Sequence, residues 1–135
     1  MALQLSVAVR NAMLDAIEST IGTSAVLKIR TGAPPASVAT ADSGTVLATL
    51  TLPSDWMAAG SSGSKAKSGT WEDASADAAG TAAHYRIYAS DGTTAHLQGT
   101  VTATGGGGDL TVDNVVFAAG QSFTVTSYSW TAANS

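Results

Sequence analysis

The sequence predicts a mainly β protein, an antiparallel β-sandwich or barrel of about 7–8 short strands with one N-terminal α-helix. Three observations carry this. Ala82 to Val101 splits into two alternating runs around Asp91-Gly92, and Asp-Gly between alternating runs marks a tight hairpin turn. Short apolar runs recur along the rest of the chain, each closed by Gly, Pro or Ser, with no room for βαβ crossovers. Helical periodicity is confined to residues 6–21.

In that helix Leu5, Val9, Met13, Ala16 and Ile17 recur on one face, widened by Leu14 and Ile21, and Asn11, Asp15, Glu18 and Ser19 fall opposite. Ser6 is placed to cap its start and Gly22 to end it. The apolar stripe predicts burial of Val9 and Met13, either on the protein's own sheet or against a neighbouring subunit. Strands follow at 25–30 and 45–52, the second with Val46, Ala48, Leu50 and Leu52 inward. Between them, 31–43 reads as a loop. Gly60–Gly69 has no apolar anchor and predicts a long mobile loop. Trp71 opens a short strand, and 73–81 is loop-like. In the hairpin, Ala83, Tyr85, Ile87 and Ala89 share one face, and His84, Arg86 and Tyr88 share the other with Ala82. Strands at 110–112, 115–117 and 122–130 complete the set. Phe123 and Val125 have one parity while Tyr128 and Trp130 have the other, so a bulge, a change of sheet or an exposed aromatic edge is expected in the last strand. The organisation is one domain, 1–135, with a helix or arm at 1–22 and a β domain at 23–135 carrying the mobile 60–69 loop.

Composition narrows the function. Cysteine is absent, so neither a disulfide framework nor thiol chemistry is available. The net charge is −4 with 12% charged residues, against a nucleic-acid partner, which requires clustered Lys and Arg. No run approaches the ~20 apolar residues of a membrane span. The opening lacks a basic n-region and has Asp15 and Glu18 where a leader would be apolar, so no secretory signal is expected.

The chemistry-bearing residues form no site. Gly105–Gly108 is not followed by Gly-Lys-Ser/Thr and precedes a strand, so it is not a phosphate loop. His84 and His96, on opposite hairpin arms with Asp91 between, fall short of a four-ligand zinc set and are expected on a solvated or interface face. Asp109 and Asp113 flank a short strand without the calcium-loop pattern. The expectation is no enzyme, no cofactor and no metal.

The stretches Arg86–Thr93 (RIYASDGT), Gln98–Val101 (QGTV), Asp109–Asn114 (DLTVDN) and Ala118–Ser127 (AAGQSFTVTS), with the opening SVAVRNAMLDAIESTIG, resemble small structural proteins of tailed bacteriophages, related to those encoded beside the major capsid protein. These are turn-and-strand motifs, and no catalytic residue comes with them. The resemblance implies a virion component, a capsid decoration or cement protein on the shell exterior, assembled in the bacterial cytoplasm. Its partner would be the major capsid protein, with self-association, a trimer favoured. A tail, head–tail connector or fibre-associated protein is the alternative. A carbohydrate-binding module is a further one and would need Trp56, Trp71, Tyr128 or Trp130 on an exposed flat face. The residues expected to meet a partner are Val9 and Met13 on the helix, Lys65 and Lys67 in the mobile loop, and Tyr128 and Trp130 at the aromatic edge.

Overall fold

The computed structural model describes residues 3–132, so the extreme ends of the expected domain lie outside the described residues. Helix α1, Val7–Ile21, is capped as its sequence predicts. The Ser6 hydroxyl accepts the Val9 N–H, and Gly22, with φ 96°, returns its N–H to the Glu18 carbonyl. Ten strands follow: β1 Val26–Thr31, β2 Val46–Thr51, β3 Ser64–Ala66, β4 Trp71–Asp73, β5 Gly80–Tyr88, β6 Ala95–Ala103, β7 Leu110–Val112, β8 Val116–Phe117, β9 Phe123–Val125 and β10 Ser129–Thr131. The fold is therefore mainly β with one N-terminal helix.

The main sheet has the order β2-β1-β5-β6-β7, with β8 pairing the start of β5. Its spine is the β5–β6 hairpin, closed as the Asp91-Gly92 signal predicts: the Asp91 carboxylate accepts the N–H groups of Thr93 and Thr94 and the Thr94 hydroxyl. Strand β1 lies antiparallel on the other side of β5, pairing Leu27 with Ile87 and Ile29 with Tyr85. A register shift in the β1–β2 ladder between Ile29 and Arg30 turns Leu47 into the core beside Ala48 and Leu50, all three fully buried, where simple alternation had left Leu47 outside. The β6–β7 pair is parallel, an exception to the antiparallel rule of the rest. Its return loop is short because Gly106 and Gly108 pass so close to Thr102 that a Cβ at either would lie within 3 Å of it.

The expected last strand is two strands, with a change of sheet between them. Strand β9 pairs β4, whereas β10 pairs β3, which is why Phe123 and Tyr128 differ in parity. The 60–69 segment, expected as an unanchored mobile loop, instead contains β3, which ladders to β10 through Lys65 and Trp130, and bonds to α1 at Gly60, Gly63 and Lys65. The core gathers Leu27, Ile29, Leu50, Ile87 and Val101 of the main sheet with Trp56, Trp71, Phe123, Val125 and Tyr128 of the ribbons opposite. Aromatic residues join the layers, Trp56 lying 6.0 Å from Trp71, 5.7 Å from Trp130, and Tyr85 5.7 Å from Tyr128, ring centre to ring centre.

Candidate functional site

Strand β5 is buried on both faces. Tyr85 and Ile87 enter the apolar core, and on the reverse side His84, Arg86 and Tyr88 are covered by residues 32–44, which cross the sheet as a strap. Arg86 is the anchor of that strap. Its Nη1 donates to Asp42 Oδ1 at 2.8 Å, Nη2 to the carbonyls of Ser37 and Thr40 at 3.0 and 2.8 Å, and Nε and Nη2 to Gln98 Oε1 at 3.1 and 2.9 Å. Arg30 adds a 2.9 Å ion pair to Asp42 Oδ2, and the Tyr88 hydroxyl donates to Asp42 Oδ1 at 2.8 Å. Burial raises the Asp42 carboxyl, but the Tyr88 hydroxyl and the two guanidinium groups outweigh it and hold its pKa below the usual range. Gln98 Nε2 donates to the Pro35 carbonyl at 2.8 Å, and the His84 ring lies 2.7 Å, through Nδ1, from the Gly32 carbonyl. The layer holds a loop in place, with the Arg86 donors turned onto the chain itself, while Arg30 Nε and His84 Nε2 are buried without a hydrogen-bond partner among the described residues.

His84 is therefore not on a solvated face, as expected, because the strap covers it. It stands opposite Thr100 rather than His96. His96 is exposed at the sheet surface and borders a groove beside α1. Asp109 accepts the N–H and hydroxyl of Thr100. Among the described residues no group of three or more His, Asp or Glu is arranged to hold a metal ion.

The second candidate surface is α1, where the expected sidedness holds in part: Leu14, Ile17 and Ile21 of the apolar stripe pack inward, but Val9, Met13 and Ala16 are exposed. Asn11, Asp15 and Glu18 of the expected polar face turn to the body of the protein, and Ser19 stays outward. Asn11 Oδ1 accepts the Gly63 N–H at 2.9 Å, Asp15 Oδ1 the Gly60 N–H at 2.8 Å, and Glu18 Oε2 the Met57 N–H at 2.9 Å. Lys65 Nζ reaches up between Asp15 and Glu18. Arg10 donates to the Ala132 carbonyl and packs against Gly63, whose φ of 74° and missing Cβ leave room for the guanidinium. The physical cause is the 57–63 chain, whose N–H groups would otherwise be left unpaired against the helix. Leu14 and Ile21 are buried beside these contacts, and Ile17 is half-buried.

What remains outward is Ala8, Val9, Ala12, Met13, Ala16, Ser19 and Thr20, every one exposed and none ionisable. Of the five large apolar side chains exposed among the described residues, Leu3, Val7, Val9 and Met13 lie on α1 or just before it. A groove of about 300 Å³ opens along this side, lined by Met13, Ala16, Ile17, Thr20, Ile21 and His96.

The expected partner contacts thus divide. Val9 and Met13 stay uncovered within the chain, at 45% and 50% exposure. Lys65 is corrected from a free loop cation to a buried one, because two helix carboxylates bind it. Lys67 is half-buried, donates to the Gly69 carbonyl and lies over the Trp71 ring. Tyr128 is buried, not at an exposed edge, with its hydroxyl 2.6 Å from that of Tyr85, while Trp130 is half-buried and donates through Nε1 to Tyr128. With Trp56 and Trp71 fully buried as well, these aromatics offer no flat exposed face for stacking on a sugar. Sequence reasoning placed Val9 and Met13 correctly on one stripe but missed the absence of charge around Ala8, Ala12 and Ala16, which helical projection of the same residues displays.

No family model, curated protein or solved structure matches the chain.

Proposed function

We propose that this chain is a structural protein of a bacteriophage virion, a decoration or cement protein that binds the capsid exterior and stabilises the shell by bridging its subunits. The reading places no catalysis in the protein; it works by contact. The observation that carries it is the outward face of α1: a surface helix that turns its charged residues inward and presents an uncharged apolar face is suited to burial against another protein. The virion context is supported by the turn-and-strand motifs around Arg86–Thr93 and Ala118–Ser127, which resemble phage structural proteins. The cationic layer under the strap is consistent with the same reading, since its arginines are committed to Asp42, Gln98 and backbone carbonyls.

The binding site on the shell is composite, formed where adjoining capsid subunits meet. Modest contacts repeated over neighbouring subunits add through high local concentration. The test uses the purified protein with expanded shells of its phage and with free capsid subunits. The expected result is saturable binding to shells, weak or no binding to free subunits, and shells more resistant to heat and osmotic shock. Equal binding to free subunits overturns the composite site. Absence of binding to any shell, with a few copies per virion found at the tail or connector, assigns the protein there instead.

A further inference from the structure

We propose that Arg30 and His84 form a binding site for a single monatomic anion of the halide class, beneath the neck of the strap, and that the ion enters together with a proton on His84. The inference does not depend on the virion reading.

The site is assembled where the strap leaves and rejoins the sheet. Its neck is closed by the Thr31 N–H on the Thr45 carbonyl at 3.1 Å and by the Thr45 N–H on the Thr31 hydroxyl at 2.9 Å. Next to that neck, Arg30 on β1 and His84 on β5 are register partners, and opposed side chains of an antiparallel pair have their Cβ atoms only ~5 Å apart. Both side chains hold an end of the strap. Arg30 Nη1 donates to the Gly44 carbonyl at 3.4 Å, and the His84 ring meets the Gly32 carbonyl through Nδ1 at 2.7 Å. Arg30 is 7% exposed and His84 is fully buried.

Two observations point to an anion. The first is the pair of free nitrogens. Arg30 Nε and His84 Nε2 are two of the three buried side-chain atoms left without a partner among the described residues, and they stand on neighbouring side chains. A buried polar atom with nothing to bond is costly. The second is charge. Among the described residues Asp42 is the one carboxylate paired with either Arg30 or Arg86. The layer thus sets two guanidinium groups against a single carboxylate, and a buried positive charge is left over.

The same groups fix the role of the proton. The Gly32 carbonyl can only accept, so Nδ1 carries a hydrogen. Nε2 is then an acceptor in the neutral ring and a donor in the imidazolium. The charged and titratable groups around the ring are Arg30 on β1, Arg86 and Tyr88 on its own strand and Asp42 on the strap, with Asp109 bonded to Thr100 opposite His84 on β6. A proton added to His84 alone would join two cations. An anion added alone would meet the Nε2 lone pair. Taken up together they add no net charge, and Arg30 Nε–H and His84 Nε2–H both donate to the ion. Each therefore raises the affinity for the other by the same factor. The neck is tight, since a Cβ on Gly44 would collide with the Thr31 carbonyl. Two N–H donors under such a neck suit a halide rather than an oxyanion, whose several oxygens would need further donors.

The test compares sodium chloride with sodium gluconate, whose anion is too large for the site, on the full-length protein at equal ionic strength. It is run at about pH 5.5 and about pH 8, on either side of the usual histidine value. Chloride should raise the thermal midpoint saturably at the lower pH, with an apparent affinity at least about tenfold weaker at the higher. In protein isotopically labelled at the histidine ring nitrogens, chloride at fixed pH should move the His84 Nε2 resonance toward the imidazolium position and leave that of exposed His96 in place. Crystals grown with sodium bromide at the lower pH should show anomalous density between Arg30 Nε and His84 Nε2. Arg30→Lys keeps a cation for Asp42 but removes the Nε–H, and should abolish the chloride response. If that variant does not fold, the resonance and the bromide density of the parent decide alone. Equal midpoints in chloride and gluconate, a His84 resonance indifferent to chloride, a water in place of bromide, or an undiminished response in Arg30→Lys overturns the proposal.

Discussion

Lys65 Nζ lies 2.8 Å from Asp15 Oδ1 and 3.3 Å from Glu18 Oε1, with the Lys65 side chain only 2% exposed. This joint fastens α1 to the rest of the protein, since a helix of this length is marginal without tertiary support. Lys65→Met keeps the packing and removes the cation, leaving two carboxylates facing each other. It should lower the midpoint of chemical denaturation and lower the helical signal before the β signal is lost.

The same joint has a defined pH window. Hydrogen bonds from Lys65 and from the Gly60 N–H depress the Asp15 pKa. Burial works against the Lys65 ammonium, but Asp15 and Glu18 outweigh it and raise its pKa above 10.5. A depressed carboxyl contributes stability above its unfolded value, about pH 4, and loses it as the pH falls through the folded one. A raised ammonium contributes below its unfolded value and loses it as the pH rises through the folded one. The gap in thermal midpoint between parent and Lys65→Met should therefore be flat from about pH 5 to 10 and shrink on both sides. A gap that varies steadily across that range would place the stabilisation elsewhere.

Arg86 holds the strap through its planar fork. Arg86→Met should cost about 3–5 kcal/mol, the usual penalty for breaking a buried pair from one side, and should open 32–44 to limited proteolysis. Arg86→Lys should restore little, because an ammonium cannot serve Asp42, Gln98 and two carbonyls at their present positions. Protection of the strap in Arg86→Met would show that Arg30 suffices.

Burial raises the pKa of all three tyrosines. Tyr85 is held far above its usual value with Tyr128 adding to the effect, Tyr128 is pushed up to about 12, and Tyr88 is raised with help from Asp42. The neutral phenols contribute stability below about pH 10, the unfolded value, and that stability is lost as the pH rises through the folded values. Tyrosinate absorbance should thus appear at higher pH in the folded protein than in the unfolded chain and rise together with unfolding. Gradual titration near pH 10 without loss of structure would show the hydroxyls to be wet.

Gly99 provides a separate probe of that pair. A Cβ there would lie 2.8 Å from the Tyr85 ring and 2.9 Å from Asp109 Cβ, so Gly99→Ala should overpack the core by about 1–3 kcal/mol. Displacement of Tyr85 should also bring tyrosinate absorbance to lower pH, which differential absorbance would detect.

These residues mark where sequence reasoning succeeds and where it stops. Ser6, Gly22, Asp91 and Gly92 act through bonds within a few positions of themselves, so the helix ends and the hairpin are legible. The parity of Phe123 against Tyr128 likewise carries the change of sheet between β9 and β10. Periodicity shows that two faces of α1 differ but not which one faces inward. That choice depends on Met57, Gly60 and Gly63, whose N–H groups need the carboxylates and amide of the helix. The burial of Lys65, His84 and Arg86 depends in the same way on segments distant in sequence, the helix for the first and the strap for the others. The stripe of Val9 and Met13 was legible as either core or contact, and the choice between them again depended on which face the 57–63 chain takes up.

The arrangement of strands around β5 also sets the order in which the protein folds. The β5–β6 hairpin closes over a few residues at Asp91, whereas β1 must find β5 across more than fifty, pairing Val26 with Tyr88. Loop-closure entropy delays the second step. The hairpin is the natural nucleus. On the same argument the strap is expected to join after β1 docks, and α1 after β3 and β10 meet. Substitutions at Ile87 should then slow refolding, whereas changes at Lys65 should mainly speed unfolding. Until that final step Asn11, Asp15 and Glu18 face water, and α1 has no fixed inner or outer side.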